Sequence, residues 1–348
     1  MSSGLFEAGS WLRLALWVGP LLAGPSCQPH RDKATTNSTP PVGHYEGSIA
    51  VTGQSELRAA LDIRHPSPGH YEAELTVPAA GTLSFVADTV VFSNNQLHLS
   101  RPARSGQALT LTLDGDFWRG DLALDSAKAP IILVKRGAPS PSTYHVEKVS
   151  QEPGSAWLFA PSDTGTRGAA LVLLPDATTM STAALWADAL ARAGVIVLVL
   201  PAVDSANAAT EVPRLQAALE RLRGTAGADT ANVGAWAAGA RAATLAQTLA
   251  AAGRPRLAFF IAQNTGINAA GRTAFRELRR RKLPVLGLYG GSASAQGAVA
   301  MRNALGGRRG TVVRNYRTAG ADLLIPGGLS PRFGPGLPDD VVEWLRGR

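Results

Sequence analysis

Residues 231–243, ANVGAWAAGARAA, constrain the architecture more than any other stretch. An apolar run ends at Gly239 and passes straight into the helical pattern GARAATLAQTLAAAG, so a strand feeds a helix through one tight turn. The flanking segments repeat the theme. AALVLLP, VIVLVLP, RLAFFIA, PVLGLYG and TVVRNYR are short strands, most of them continuously apolar in the manner of a parallel sheet buried on both faces. Helices separate them. STAALWADALARAG places Leu185, Trp186, Ala189, Leu190 and Ala193 on one face with Gly194 as a stop. EVPRLQAALERLRG sets Pro213 in a first helical turn, carries the stripe Val212, Leu215, Leu219 and Leu222, and closes at Gly224. DDVVEWLRGR is a final helix. The alternation predicts an α/β class with a doubly wound, mainly parallel sheet.

The first half of the chain has a different period. Residues 45–136 alternate apolar and polar side chains in short runs such as HYEAELTV, ALTLTLDG and PIILVKR, broken by Gly, Pro, Asn, Asp and Ser. That pattern predicts a small all-β barrel or sandwich module over residues 43–137, in which Tyr45, Tyr71, Phe85, Phe92, Phe117 and Trp118 serve packing. GAPSPSTYH marks a linker over residues 138–147. At the start, LALWVGPLLAG is an apolar run of signal-peptide length, too short to span a bilayer comfortably, so residues 1–26 read as an export signal. Cys27 is the single cysteine, which excludes an intramolecular disulfide, and residues 27–42 read as a flexible tether. The net charge is +8, but only 17% of residues are charged; this is compositional bias more than a basic footprint, and no nucleic-acid partner is expected.

The order and spacing over residues 146–348 resemble the α/β-hydrolase superfamily. NVGAWAAGARAA stands where that family has its nucleophile elbow, PVLGLYGGSASAQG resembles the strand and turn that deliver the acid, and NYRTAGADLLIPGG resembles the strand and loop that deliver histidine. The β-rich module resembles the one that precedes the hydrolase domain in exported bacterial α/β-hydrolase-like proteins, and the leader with Cys27 resembles that of a bacterial lipoprotein, whose cysteine is lipidated. The resemblance implies an α/β-hydrolase-like domain over residues 148–348. It puts the nucleophile position at Gly239, the acid position at Ala293 and the histidine position at Leu323, all three without the required group. The first loop reads Pro175-Asp176 where the family carries a His-Gly pair. The resemblance therefore implies a degenerate member lacking the catalytic triad, a pseudoenzyme.

One deficiency does not depend on the resemblance. Residues 146–348 contain no histidine and no cysteine, so no Ser-His-acid or Cys-His pair can assemble inside them. Asp176, Asp204 and Asp322 each follow a predicted strand, at the edge where open α/β sheets place ligands. They are the ligand-binding candidates if they converge, and helix or turn caps if they do not. The spacings of His44, His65, His70, His98 and His145 form no metal motif, and neither metal nor cofactor is expected. RTAFRELRRRK is a basic helix docked by Phe275 and Leu278, with Arg276, Arg279, Arg280 and Arg281 left to solvent or to an acidic polymer or lipid surface.

The expectation is an exported, lipid-anchored, catalytically inactive protein of the bacterial cell envelope that binds or scaffolds a small molecule or an envelope partner, either anchored in the membrane or free in the periplasm. Two alternatives stand beside it. One is an active, esterase-like hydrolase using a non-standard constellation, such as the three aspartates with a cation or a histidine such as His145. The other is a structural envelope protein without a ligand.

Overall fold

Alternation at period two builds the first sheet of the computed structural model. Its nine strands are β1 (Gly43–Ile49), β2 (Leu57–Ser67), β3 (His70–Thr76), β4 (Phe85–Val86), β5 (Thr89–Ser93), β6 (Gln96–Ser100), β7 (Gln107–Asp114), β8 (Phe117–Leu124) and β9 (Ala127–Gly137). They pair antiparallel in the order β4-β3-β2-β1-β9-β8-β7-β6-β5. The two edge strands, β4 and β5, are joined through only Ala87 and Asp88, whose amides reach Ala73 O at 2.8 Å and Ser100 O at 3.2 Å. The sheet therefore curls into a half-barrel around an apolar core. Trp118 is fully buried there, meeting Tyr45 and Phe92 edge-on at 6.0 and 6.1 Å. Each alternate Leu or Ile of β2, β7, β8 and β9 that points inward is removed from water, worth roughly 1.5–3 kcal/mol apiece. Phe117 points outward instead and is exposed.

The structure describes residues 39–53, 55–104, 106–125, 127–151, 154–202, 207–251, 255–291, 294–307, 310–327 and 329–348, all within one compact unit, Asn37–Arg348. The expected signal segment, Cys27 and the first part of the tether lie outside the described residues, as do Asp204 and Ala293.

The second sheet has eight strands: β10 (Tyr144–Ser150), β11 (Ser155–Pro161), β12 (Gly168–Leu174), β13 (Ile196–Val199), β14 (Ala228–Ala238), β15 (Phe260–Gln263), β16 (Val285–Gly290) and β17 (Val312–Tyr316). Their order is β10-β11-β13-β12-β14-β15-β16-β17. Strands β12 to β17 are parallel, whereas β11 runs against both β10 and β13. A third, two-stranded ribbon joins β18 (Leu324–Ile325) to β19 (Arg332–Phe333). Helices α1 (Met180–Arg192), α2 (Ala208–Arg223), α3 (Gly239–Ala250), α4 (Ala269–Arg280), α5 (Ala295–Leu305) and α6 (Asp339–Arg346) pack on the second sheet. Leu215, Leu245, Phe275 and Met301 bring α2 to α5 to one apolar core, and Trp186, Leu190, Val341 and Leu345 bring α1 and α6 to another.

This architecture corrects the expected fold class. The chain is mainly β, with 41% strand against 26% helix, and it is not a doubly wound, mainly parallel α/β-hydrolase-like sheet behind a small module. The antiparallel half-barrel is the larger sheet, and the second sheet is mixed. The physical reason lies in residues 144–161: YHVEKVS and SAWLFAP pair as an antiparallel hairpin, Val146 opposite Phe159 and Lys148 opposite Trp157. The sequence reading took the start of that hairpin as a linker. Pro213 is also displaced from its expected first turn, because Asn207 caps α2 by accepting from Thr210 N at 3.0 Å, several residues upstream.

Charged groups fill the seam between the half-barrel and the second sheet. Arg101 donates to Asp188 Oδ2 at 2.7 Å and to Gln107 at 3.0 Å, while Tyr144 Oη donates to Asp188 Oδ1 at 2.5 Å and accepts from Val86 N at 3.0 Å. Glu74 accepts from Arg64 at 3.1 Å, Arg192 at 2.9 Å and Thr143 at 2.7 Å. Buried charges are tolerable only when paired in this way. Asp88 is the exception at the margin: Oδ2 accepts from Ala103 N at 2.8 Å, Oδ1 is buried without a partner, and burial pushes its carboxyl up to about 6.

Candidate functional site

The carboxyl ends of the parallel strands form two different surfaces. Over β12, β13 and β14 the edge is plugged. Gly239 turns from β14 into α3 at φ +53°, and a side chain there would run into Asp176 Oδ2. Asp176 itself is spent on its own loop: Oδ1 accepts from the amides and hydroxyls of Thr178 and Thr179 at 2.7–3.0 Å. Beneath them Arg241, in the first turn of α3, grips Glu211 through Nε at 2.6 Å and Nη2 at 3.3 Å. Its Nη1 donates to the carbonyls of Pro175 at 2.9 Å and Pro201 at 3.1 Å, which end β12 and extend β13. Burial lowers the Arg241 pKa while Glu211 opposes that shift. The guanidinium thus ties three strand and helix ends together, a structural use of charge.

The other candidates are also held by local structure. Asp322 Oδ1 accepts from Leu324 N at 3.1 Å, a turn bond, and its carbonyl accepts from Trp186 Nε1 at 3.1 Å. Leu323 is fully buried at φ +67°. Asp176 and Asp322 therefore act as turn caps in the structure, and Asp204 lies outside the described residues. Among the described residues, no group of three or more His, Cys, Asp or Glu side chains gathers as a metal site would require. His145 is fixed in β10 opposite Ala160.

Over β15 and β16 the same edge opens into a cleft of ≈ 580 Å³. Asn264, at φ 45°, closes β15; its Oδ1 accepts from Gly290 N at 2.9 Å and its Nδ2 donates to Ala321 O. Asn tolerates that left-handed backbone better than most residues. Gln263 holds the same loop, donating to Ala321 O at 2.8 Å while accepting from Trp236 Nε1 at 2.9 Å. Thr265 is buried, and its carbonyl accepts from Tyr289 Oη at 3.0 Å, but its own hydroxyl has no partner. Burial pushes the Tyr289 phenol well above its usual range. Ser294 and Gln296 complete the polar lining from the start of α5. None of the described lining residues carries a carboxylate, imidazole, amine or guanidinium.

Sequence reasoning missed Thr265, Asn264 and Gln296, which lie in polar loops without a motif. It also missed Arg241, which did leave a signal: one charged residue in an otherwise Ala-rich helix start.

No family model matches the chain, and no curated protein matches it. Among the solved structures that match is a hypothetical protein from Pseudomonas aeruginosa, 11% identical, with a TM-score of 0.43; the match covers 60% of this chain and 95% of that one. The likeness to α/β-hydrolases drawn from the sequence is therefore corrected. No hydrolase family is matched, and the fold is mainly β with a large antiparallel half-barrel. The descriptions hydrolase-like and pseudoenzyme fall with it. Of the three positions, Gly239 and Leu323 stand in tight turns, and Ala293 lies outside the described residues.

Proposed function

We propose that the chain is a non-catalytic binding protein of the cell envelope, exported and tethered by a lipid at Cys27, which takes an uncharged, hydrogen-bonding small molecule at the β15–β16 cleft. The cleft carries this reading. It offers the Ser294 hydroxyl and the Gln296 amide, and no described lining side chain that exchanges a proton at neutral pH. Polar groups placed sparsely in a concave site fix orientation and give specificity.

The test pairs binding with turnover. Purified protein titrated with neutral polyols and short saccharides should show saturable stabilisation against heat, weakened by Gln296→Ala. The same preparation should neither label with a fluorophosphonate nor turn over an ester panel. Labelling, turnover, or indifference to every neutral ligand would each defeat the proposal.

A further inference from the structure

A second cleft, of ≈ 540 Å³, lies at the opposite end of the second sheet, where β12, β13 and β14 begin and β11 ends. Four arginines line it, Arg167, Arg192, Arg346 and Arg348, against two carboxylates, Asp163 and Asp229. Basic residues at helix C-termini ordinarily serve helix carbonyls, and Arg346 and Arg348 each donate to one. Arg346 donates to Ala193 O at 3.0 Å, just past α1. Arg192, in the last turn of α1, binds Glu74 and lies 5.1 Å from the Tyr144 ring centroid.

Neither Arg167 nor Arg348 has an ion-pair partner among the described residues. Arg167 makes no hydrogen bond or ion pair among the described residues. The Arg348 guanidinium carbon lies 3.4 Å from the Trp344 ring centroid and 4.4 Å from that of Phe259, and its Nε donates to Trp344 O at 3.2 Å. Among the described residues no carboxylate pairs with it. The two acids of the cleft do not compensate. Asp163 accepts from Gly165 N at 2.8 Å and Asp229 from Ala231 N at 3.1 Å, and neither forms an ion pair with an arginine. Arg167 and Arg348 are both exposed at the cleft, and a guanidinium held in place by aromatic contacts with its Nη groups unpaired among the described residues is set to receive an anion.

The geometry points to an anion site in this cleft: Arg348 and Arg167 receive the phosphate group of a small molecule, while Arg346 adds positive field from the wall. A tetrahedral phosphate presents oxygens to two guanidinium forks at once, which a planar carboxylate does less well. Free phosphate esters and phospholipid headgroups carry the same group. The site is separate from the neutral cleft at β15–β16, and neither depends on the other.

The experiment uses the full chain at low salt. One arm titrates inorganic phosphate and glycerol phosphate by calorimetry; the other sediments the protein with vesicles of phosphatidylglycerol, with phosphatidylcholine as the control. Saturable binding in either arm, weakened about tenfold or more by Arg348→Gln and by Arg167→Gln but not by Arg280→Gln on α4, is the expected result and identifies the source. Arg167→Gln touches no structural contact, so it keeps the test valid if Arg348→Gln loses the native circular dichroism. No binding in either arm, or binding that all three variants leave unchanged, overturns the proposal.

Discussion

Gly239 shows how much one missing Cβ decides. Its φ of +53° is open to glycine and costs other L-residues roughly 1–2 kcal/mol, and the Asp176 carboxylate occupies the space a side chain would need. Asp176 cannot move aside cheaply, because its other oxygen accepts from both Thr178 and Thr179. Gly239→Ala should therefore destabilise the protein by about 2 kcal/mol or more, read as a lower urea midpoint at unchanged slope. A loss under about 0.5 kcal/mol would show that the turn relaxes and that the plug is looser than the contacts imply.

At the level of elements, the apolar strands and striped helices of residues 168–346 were legible because each buries a continuous or periodic apolar face. Leu171 and Leu173 face one core while Ala170, Val172 and Leu174 face the other. The hairpin β10–β11 was not legible, because YHVEKVS alternates weakly and its partner arrives after a polar turn. Assigning the family failed for a related reason: strand and helix alternation is shared by many folds, and it outweighed the nine-stranded antiparallel sheet in the reading. Nor was the neutral cleft visible, since Asn264, Thr265 and Gln296 are gathered by the chain's course and not by spacing. Helix starts were similarly hidden. Asn207 opens α2 from a stretch without apolar period, yet its side chain satisfies Thr210 N. Asn207→Ala should cost about 1 kcal/mol, and Asn207→Asp should restore it, both measured by chemical denaturation. Equal stability of all three would place the start of α2 elsewhere.

For the molecule as a whole, the seam between the sheets makes stability depend on pH through Asp88. Burial is the main cause of its raised pKa, opposed by Arg101 and the Ala103 amide and reinforced by Asp188. A folded pKa of about 6, above the ordinary aspartate value of 3.8, means that the fold favours the protonated acid. The associated stability is present in full below pH ~3.8 and is lost as pH rises through ~6, about 3 kcal/mol over the interval. Asp88→Asn keeps a neutral side chain at every pH. Its stability relative to the parent should therefore climb by about 2 kcal/mol between pH 4 and 6.5, in denaturation series run in parallel. A constant difference across the range would mean that Asp88 ionises in the fold as it does in a peptide.

The two-residue passage from β4 to β5 has a consequence for how this protein behaves in company. An open sheet presents unpaired amides and carbonyls along its outermost strands, and these recruit any extended peptide nearby. Here Ala87 and Asp88 carry the chain from one margin of the half-barrel to the other, engaging Ala73 and Ser100 on the way, so the margins turn toward each other. A ribbon so rich in β-formers is thereby given little free selvedge on which a fibril could seed.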